Sequence, residues 1–179
     1  MLPNAVDKLW PEKYRPKTID EYIFNNPMHK VAFGKILDSK VIPHMMLSGV
    51  QGTGKTAIAQ ILIAACIEDD VKDTDVLVVN ASDQNSVENV RNEIKSHILS
   101  YGMGSYKVIL LQEADYLSPN AQGILRDYME EYEQNCRFIL TCNYRHKIIP
   151  AIQSRCQQFE FKAPDRDDIA ARMLQILKL

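Results

Sequence analysis

Gly49, Gly54, Lys55 and Thr56 stand at the fixed positions of the pattern G-x-x-x-x-G-K-[ST]. These residue types at this spacing are expected to hold a nucleoside triphosphate with Mg²⁺. The glycines let the chain turn so that several backbone N–H groups converge on one anion. Lys55 brings a mobile positive charge to the β- and γ-phosphates, and the Thr56 hydroxyl is placed to hold Mg²⁺. Gly52, Thr53 and Ala57 complete the stretch around the phosphates. Such a loop needs acidic partners at the end of a neighbouring strand, one carboxylate to support the metal and the next to polarise the attacking water. The apolar run Val108–Leu111 ends in Gln112-Glu113-Ala114-Asp115. Glu113 stands where the catalytic base is expected. Gln112 stands where an aspartate would support the metal. Its amide can still hydrogen-bond a metal-held water, but it carries no charge. Weaker metal support or slower hydrolysis is therefore expected, with ATP binding kept.

The elements that must position these residues are legible on either side. His44–Ser48 is a short, mostly apolar run, and Ala57–Cys66 is rich in Ala, Ile and Leu. Strand, loop and helix in that order aim a helix N-terminus at the phosphates. Five segments predict strands: Met45–Ser48, Val76–Asn80, Lys107–Leu111, Phe138–Cys142 and Phe159–Lys162. The first four are largely continuous apolar runs, as strands covered on both faces require. Between them lie helical patterns: Ala57–Ile67, then Val87, Val90, Ile94 and Ile98 on one face, then a helix capped by Ser118 with Pro119 at its first position. Alternation of strand and helix predicts an α/β fold, a three-layer domain with a five-stranded parallel sheet.

The ends differ from this core. Residues 10–16 are extended and punctuated by proline, and a short helix is expected near Pro27–Ser39. Phe161–Pro164 reads as a linker, after which Asp165 caps an amphipathic helix expected to turn Ile169, Met173, Leu174 and Leu177 inward. The expected organisation is a nucleotide-binding domain with an N-terminal arm over 1–162, then the beginning of a truncated helical lid over 163–179.

The 179 residues suffice for one domain and the start of another. With 46% hydrophobic and 25% charged residues the composition is that of an ordinary globular protein. The net charge of −2 gives no bulk support for nucleic-acid binding, which leaves only a local basic patch to do it. No apolar stretch is long enough for a membrane span, so no membrane partner is expected. Cys66, Cys136, Cys142 and Cys156 contain no C-x-x-C pair, which argues against zinc and for a reducing compartment.

Four further segments resemble the AAA+ clamp-loader family, in particular the small subunit of replication factor C and its phage-type counterparts. They are Glu12-Lys13-Tyr14-Arg15-Pro16, Asn80-Ala81-Ser82-Asp83, Arg137–Tyr144 and Ile152-Gln153-Ser154-Arg155-Cys156, in the family's order over nearly the whole chain. The resemblance implies an AAA+ P-loop domain followed by a helical lid. It implies that Tyr14, Arg15, Pro16 and Ile23 enclose the adenine and ribose. Asn143 matches the polar residue that senses the γ-phosphate, and Arg155 matches the arginine finger that reaches a neighbouring subunit's site in trans.

The same resemblance implies other clamp-loader subunits, a sliding clamp and primer-template DNA as partners, and a replisome in the cytoplasm or nucleus as the setting. DNA contact falls to Arg91 and Lys95, one helical turn apart, and to Arg126. Asn85 replaces a basic residue common in the family, so coupling between DNA and Glu113 is expected to differ. Ile98, Leu99, Tyr101 and Met103, around Gly102 and Gly104, fall in the region that faces the clamp; Ile98 also fits the core of its helix. Two alternatives stay open: a nucleotide-binding scaffold subunit that hydrolyses weakly or not at all, and another AAA+ motor such as a branch-migration helicase.

Overall fold

The computed structural model describes residues 13–82 and 87–177, and of residues 87–90 the backbone only. Glu12, Asp83, Asn85 and Leu179 lie outside the described residues. In chain order the main elements are α1 (Pro27–Ser39), β1 (Met45–Gly49), α2 (Lys55–Cys66), β2 (Val76–Asn80), α3 (Val87–Leu99), β3 (Lys107–Gln112), α4 (Pro119–Glu131), β4 (Cys136–Cys142), β5 (Gln157–Phe161) and α5 (Arg166–Leu177). The five strands form one parallel sheet in the order β2-β3-β4-β1-β5. The chain leaves β1, crosses to the far edge at β2, and returns through β3 and β4 to β1's side. The carboxyl ends of β1, β4 and β3 therefore lie side by side, where open α/β sheets bind ligands.

Period-two alternation divides the strand residues between two cores. Met46, Ile109, Leu111, Phe138 and Leu140 point to one face, covered by Ile94 and Ile98 of α3 and by Leu125 and Met129 of α4. Met45, Leu47, Val108, Leu110 and Ile139 point to the other, covered by Phe33 of α1 and by Ile58 and Leu62 of α2. Both faces being apolar, β1, β3 and β4 read as unbroken hydrophobic runs. β2 departs from that expectation: it is an edge strand, with Val79 buried and Val78 exposed.

The caps follow local chemistry. The Asn26 side chain accepts from Met28 N–H ahead of Pro27, and the Ser118 hydroxyl accepts from Ala121 N–H ahead of Pro119. Two strands begin earlier than their apolar residues suggest. Cys136 and Arg137 pair with Lys107 and Val108, and Gln157 and Gln158 pair with Met45 and Met46. Backbone pairing needs no apolar side chain, so periodicity alone misses those positions. A larger correction concerns α5. It buries none of its residues, and Ile169, Met173, Leu174 and Leu177 are exposed rather than turned inward. None of the described helices is long and apolar enough to cross a membrane.

Candidate nucleotide-binding site

Gly49 ends β1 at φ 146°, where a Cβ would stand 2.1 Å from the Phe161 carbonyl oxygen of β5. Gly54 opens α2 at φ 83°, and a Cβ there would stand 2.8 Å from the Tyr22 hydroxyl. Neither place admits another residue without displacement. The loop is braced from within: Thr53 Oγ1 donates to Val50 O at 2.9 Å, and Tyr22 Oη donates to Thr53 O at 2.9 Å.

Lys55 is buried beneath this loop. Its Nζ donates to Gly49 O at 2.7 Å, Val50 O at 2.8 Å and Asn143 Oδ1 at 3.0 Å. Burial holds its pKa below the usual lysine value, while Cys142, Asp115 and Glu113 act the other way. Lys55, Thr56, Arg15, Glu113, Thr141 and Asn143 line one open cleft of about 380 Å³. The sequence separates these residues widely; the carboxyl ends of β1, β3 and β4 bring them together.

Glu113 itself sits at φ 54°, ψ 41°, a left-handed conformation that costs a non-glycine residue roughly 1–3 kcal/mol. The kink takes its side chain off the strand path and into the cleft. Gln112 is the last residue of β3, half-buried and paired in register with Asn80.

Beside Thr53 lies a second cavity of about 260 Å³, lined by Tyr22, Ile23, Phe24, His29 and Phe161. Tyr22 and Phe24 rings lie 4.7 Å apart, and Tyr22 meets Phe161 edge-on at 6.3 Å. An aromatic-walled cavity next to a phosphate loop suits a flat base. Ile23 falls here, whereas Arg15 lines the phosphate cleft and donates to Gln60 Oε1 at 3.1 Å, with half-buried Tyr14 and Pro16 beside it. Tyr22 lines this second cavity and braces the loop through Thr53 O, and sequence reasoning missed it; its signal was an aromatic beside Ile23.

Arg155 does not line this cleft. Its Nη1 donates to Ala151 O at 2.7 Å and its Nη2 pairs with Glu130 at the end of α4. Arg126 pairs with Asp127 and, at 4.0 Å, with Glu130. Arg91 and Lys95 stand exposed on α3. Leu99, Tyr101 and Met103 are 62%, 89% and 64% exposed, but Ile98 is buried in the core under α3 and is not part of that surface. The turn carrying them is held from beneath. Buried Asp75 accepts from Met103 N–H and Gly104 N–H, and buried Lys107 donates to His97 O and Ser100 O.

Cys136, Cys142 and Cys156 are buried, which pushes their thiols up to about 12, 11 and 12. They are packing residues, not nucleophiles. Asp115 and Thr141 were also missed by sequence reasoning. Both are buried, and both accept backbone N–H groups around Glu113 and Asn143.

A glycine-cradled anion loop at a helix N-terminus, with a lysine beneath it and a glutamate facing it across a parallel sheet, defines a P-loop nucleoside-triphosphatase domain. The chain belongs to the AAA family, the ATPase family associated with various cellular activities, matched over residues 45–163. It is 40% identical over 171 residues to the replication factor C small subunit of Archaeoglobus fulgidus, covering 94% of this chain and 53% of that protein. It is 40% identical over 180 residues to the replication factor C small subunit of Saccharolobus solfataricus, covering 99% and 54%. The chain thus spans about half the length of these curated relatives. In fold it resembles the Thermotoga maritima RuvB Holliday junction branch migration motor, with a TM-score of 0.73, 19% identity, and 93% and 55% of the two chains covered.

Proposed function

We propose that this chain is the ATP-binding part of a motor subunit of a sliding-clamp loader, coupling ATP binding and hydrolysis to clamp opening and placement on primed DNA. The observation that carries it is the cleft in which Lys55, Thr56, Glu113 and Asn143 converge, in a chain 40% identical to replication factor C small subunits. In this reading the triphosphate lies along Gly49–Thr56, and Lys55 exchanges its bonds to Gly49 O and Val50 O for phosphate oxygens. The base enters the cavity of Tyr22 and Ile23, under an arm formed by Tyr14, Arg15 and Pro16. Glu113 takes the proton of the attacking water, and Asn143 orients that water against the γ-phosphate.

The residues fit Mg²⁺. No group of three or more Asp, Glu, His or Cys among the described residues could cage a metal, and Mg²⁺ is held by one or two protein ligands with phosphate oxygens and water. Thr56 would hold it directly and Gln112 through water. When bound, it supplies charge neutralisation to the phosphates. Arg155, outside its own cleft, serves the site of a neighbouring subunit, leaving Glu130 to do so. Leu99, Tyr101 and Met103 meet the clamp, and Arg91, Lys95 and Arg126 follow the DNA backbone. Residues 163–179 begin a helical lid whose exposed Ile169, Met173, Leu174 and Leu177 await a partner surface.

Gln112 favours a second reading, a scaffold subunit that binds ATP and turns it over slowly or not at all. Calorimetric titration of ATP with Mg²⁺ tests the part common to both. Wild-type chain should bind, and Lys55→Ala should weaken binding by about a hundredfold, two lost charged hydrogen bonds. Equal affinity of the two proteins would reject the assignment of the cleft.

A further inference from the structure

We propose that Thr141 and Asp115 form a reciprocal side-chain latch between the ends of β3 and β4, and that this latch sets the positions of Glu113 and Asn143. The backbone ladder between the two strands runs regularly to Leu111 and Leu140. Just beyond it, Glu113 leaves the strand conformation for the left-handed one. A backbone N–H leaving a ladder inside a protein needs a new acceptor. Thr141 Oγ1 supplies it, accepting from Glu113 N–H at 3.2 Å. In return Asp115, just past the kink, accepts from β4's exit: Oδ1 from Asn143 N–H and Oδ2 from Tyr144 N–H, both at 3.2 Å. Thr141 and Asp115 are both buried.

The connection continues to the loop. Asn143 N–H is fixed by Asp115, and Asn143 Oδ1 accepts from Lys55, whose other protons go to Gly49 O and Val50 O. Three groups that act on one phosphate in this reading, Glu113, Asn143 and Lys55, are thus referred to a single carboxylate and a single hydroxyl. Asp115, two residues from Glu113, does not line the cleft, and each of its oxygens accepts a backbone N–H. Thr141 and Asp115 are positioning residues: each acts through a backbone amide. The inference rests on the assignment of Glu113 and Asn143 to ATP chemistry made above.

Isosteric substitutions test it. Thr141→Val keeps volume and removes the acceptor. Thr141→Ser keeps the acceptor. Asp115→Asn leaves one oxygen for two N–H donors, and turns its NH₂ toward the other. Amide hydrogen exchange of the nucleotide-free chain reads the latch itself: Glu113 N–H should exchange at least about tenfold faster in Thr141→Val, and Asn143 or Tyr144 N–H likewise in Asp115→Asn. Steady-state hydrolysis reads its purpose. Thr141→Val and Asp115→Asn should lower kcat about tenfold or more with KM within about twofold, and Thr141→Ser should restore most of kcat. Wild-type exchange rates in both variants, or a fall in KM and kcat that serine does not rescue, would overturn the latch. Failure of the wild-type chain to bind ATP would instead overturn the nucleotide assignment, and exchange would still decide whether the latch exists.

Discussion

Lys55 donates its three protons to Gly49 O, Val50 O and Asn143 Oδ1, so the loop is held in shape by the same ammonium that meets a phosphate in the proposed reading. Binding is then an exchange of acceptors, from neutral carbonyls to charged oxygens, which strengthens each bond made. The charge count around that event is where this chain departs from a typical P-loop enzyme. Gln112 is neutral, and Asp115 is committed to Asn143 and Tyr144 N–H. Glu113 is left as the carboxylate lining the cleft. Gln112→Asp is therefore expected to raise kcat on the order of tenfold, equivalent to about 1.4 kcal/mol of barrier. Steady-state phosphate release under saturating ATP and Mg²⁺ checks it, and an unchanged kcat would show that metal support does not limit turnover. That Lys55, Thr56 and Glu113 meet in one cleft could be expected from the sequence, the first two from the spacing of the loop and Glu113 from its place after an apolar strand. Asp115, Thr141 and Tyr22 could not. Each works on a backbone group 28 to 31 residues away, and only the strand register and the fold of the arm bring the partners together.

The elements were legible where one face demands one residue type. β1, β3 and β4 sit inside the sheet and are apolar on both faces, while Ser118 and Pro119 announce α4 by cap chemistry. The sequence was silent where pairing is made by backbone alone, as at Cys136 and Gln157, and misleading at α5, where Ile169, Met173, Leu174 and Leu177 stay exposed. The start of β1 carries a device with a measurable signature. His44 Nδ1 accepts from Phe138 N–H at 3.1 Å, bridging β1 to β4. Burial, with nearby Arg137, pulls its pKa down to about 4. The folded value lies below the unfolded one near 6.5, so the stabilising neutral form is complete above pH 6.5. Stability is lost as pH falls from 6.5 toward 4, by on the order of 2 kcal/mol after allowance for partial exposure. Urea unfolding at pH 7 and pH 4.5 should show that difference, and His44→Asn, which keeps an acceptor and cannot titrate, should remove most of it. An equal pH dependence in both proteins would assign the acid sensitivity to other groups.

At the scale of the whole molecule, the two faces of the sheet are closed cores, and the proposed contacts with other molecules fall on groups left outward. Arg155 turns away from its own cleft, and Tyr101 and Met103 project from a turn fixed by Asp75 and Lys107. A rigid apolar tip loses little entropy on docking. Tyr101→Ala with Met103→Ala should weaken clamp binding by at least about tenfold and leave ATP affinity and thermal stability unchanged, as surface plasmon resonance and melting would register. Undiminished clamp binding would move that interface elsewhere. Membership of an ATPase family and the shape of the cleft follow from the loop and its strands; the use proposed for hydrolysis rests on outward surfaces. The most direct measurement is steady-state ATP hydrolysis by the intact protein, assembled with its partner subunits, with a sliding clamp and primed DNA added singly and together. Turnover should rise about tenfold or more only when both are present, and vanish with Lys55→Ala. Stimulation by a four-way DNA junction in place of primed DNA, or indifference to the clamp, would contradict a clamp-loading motor.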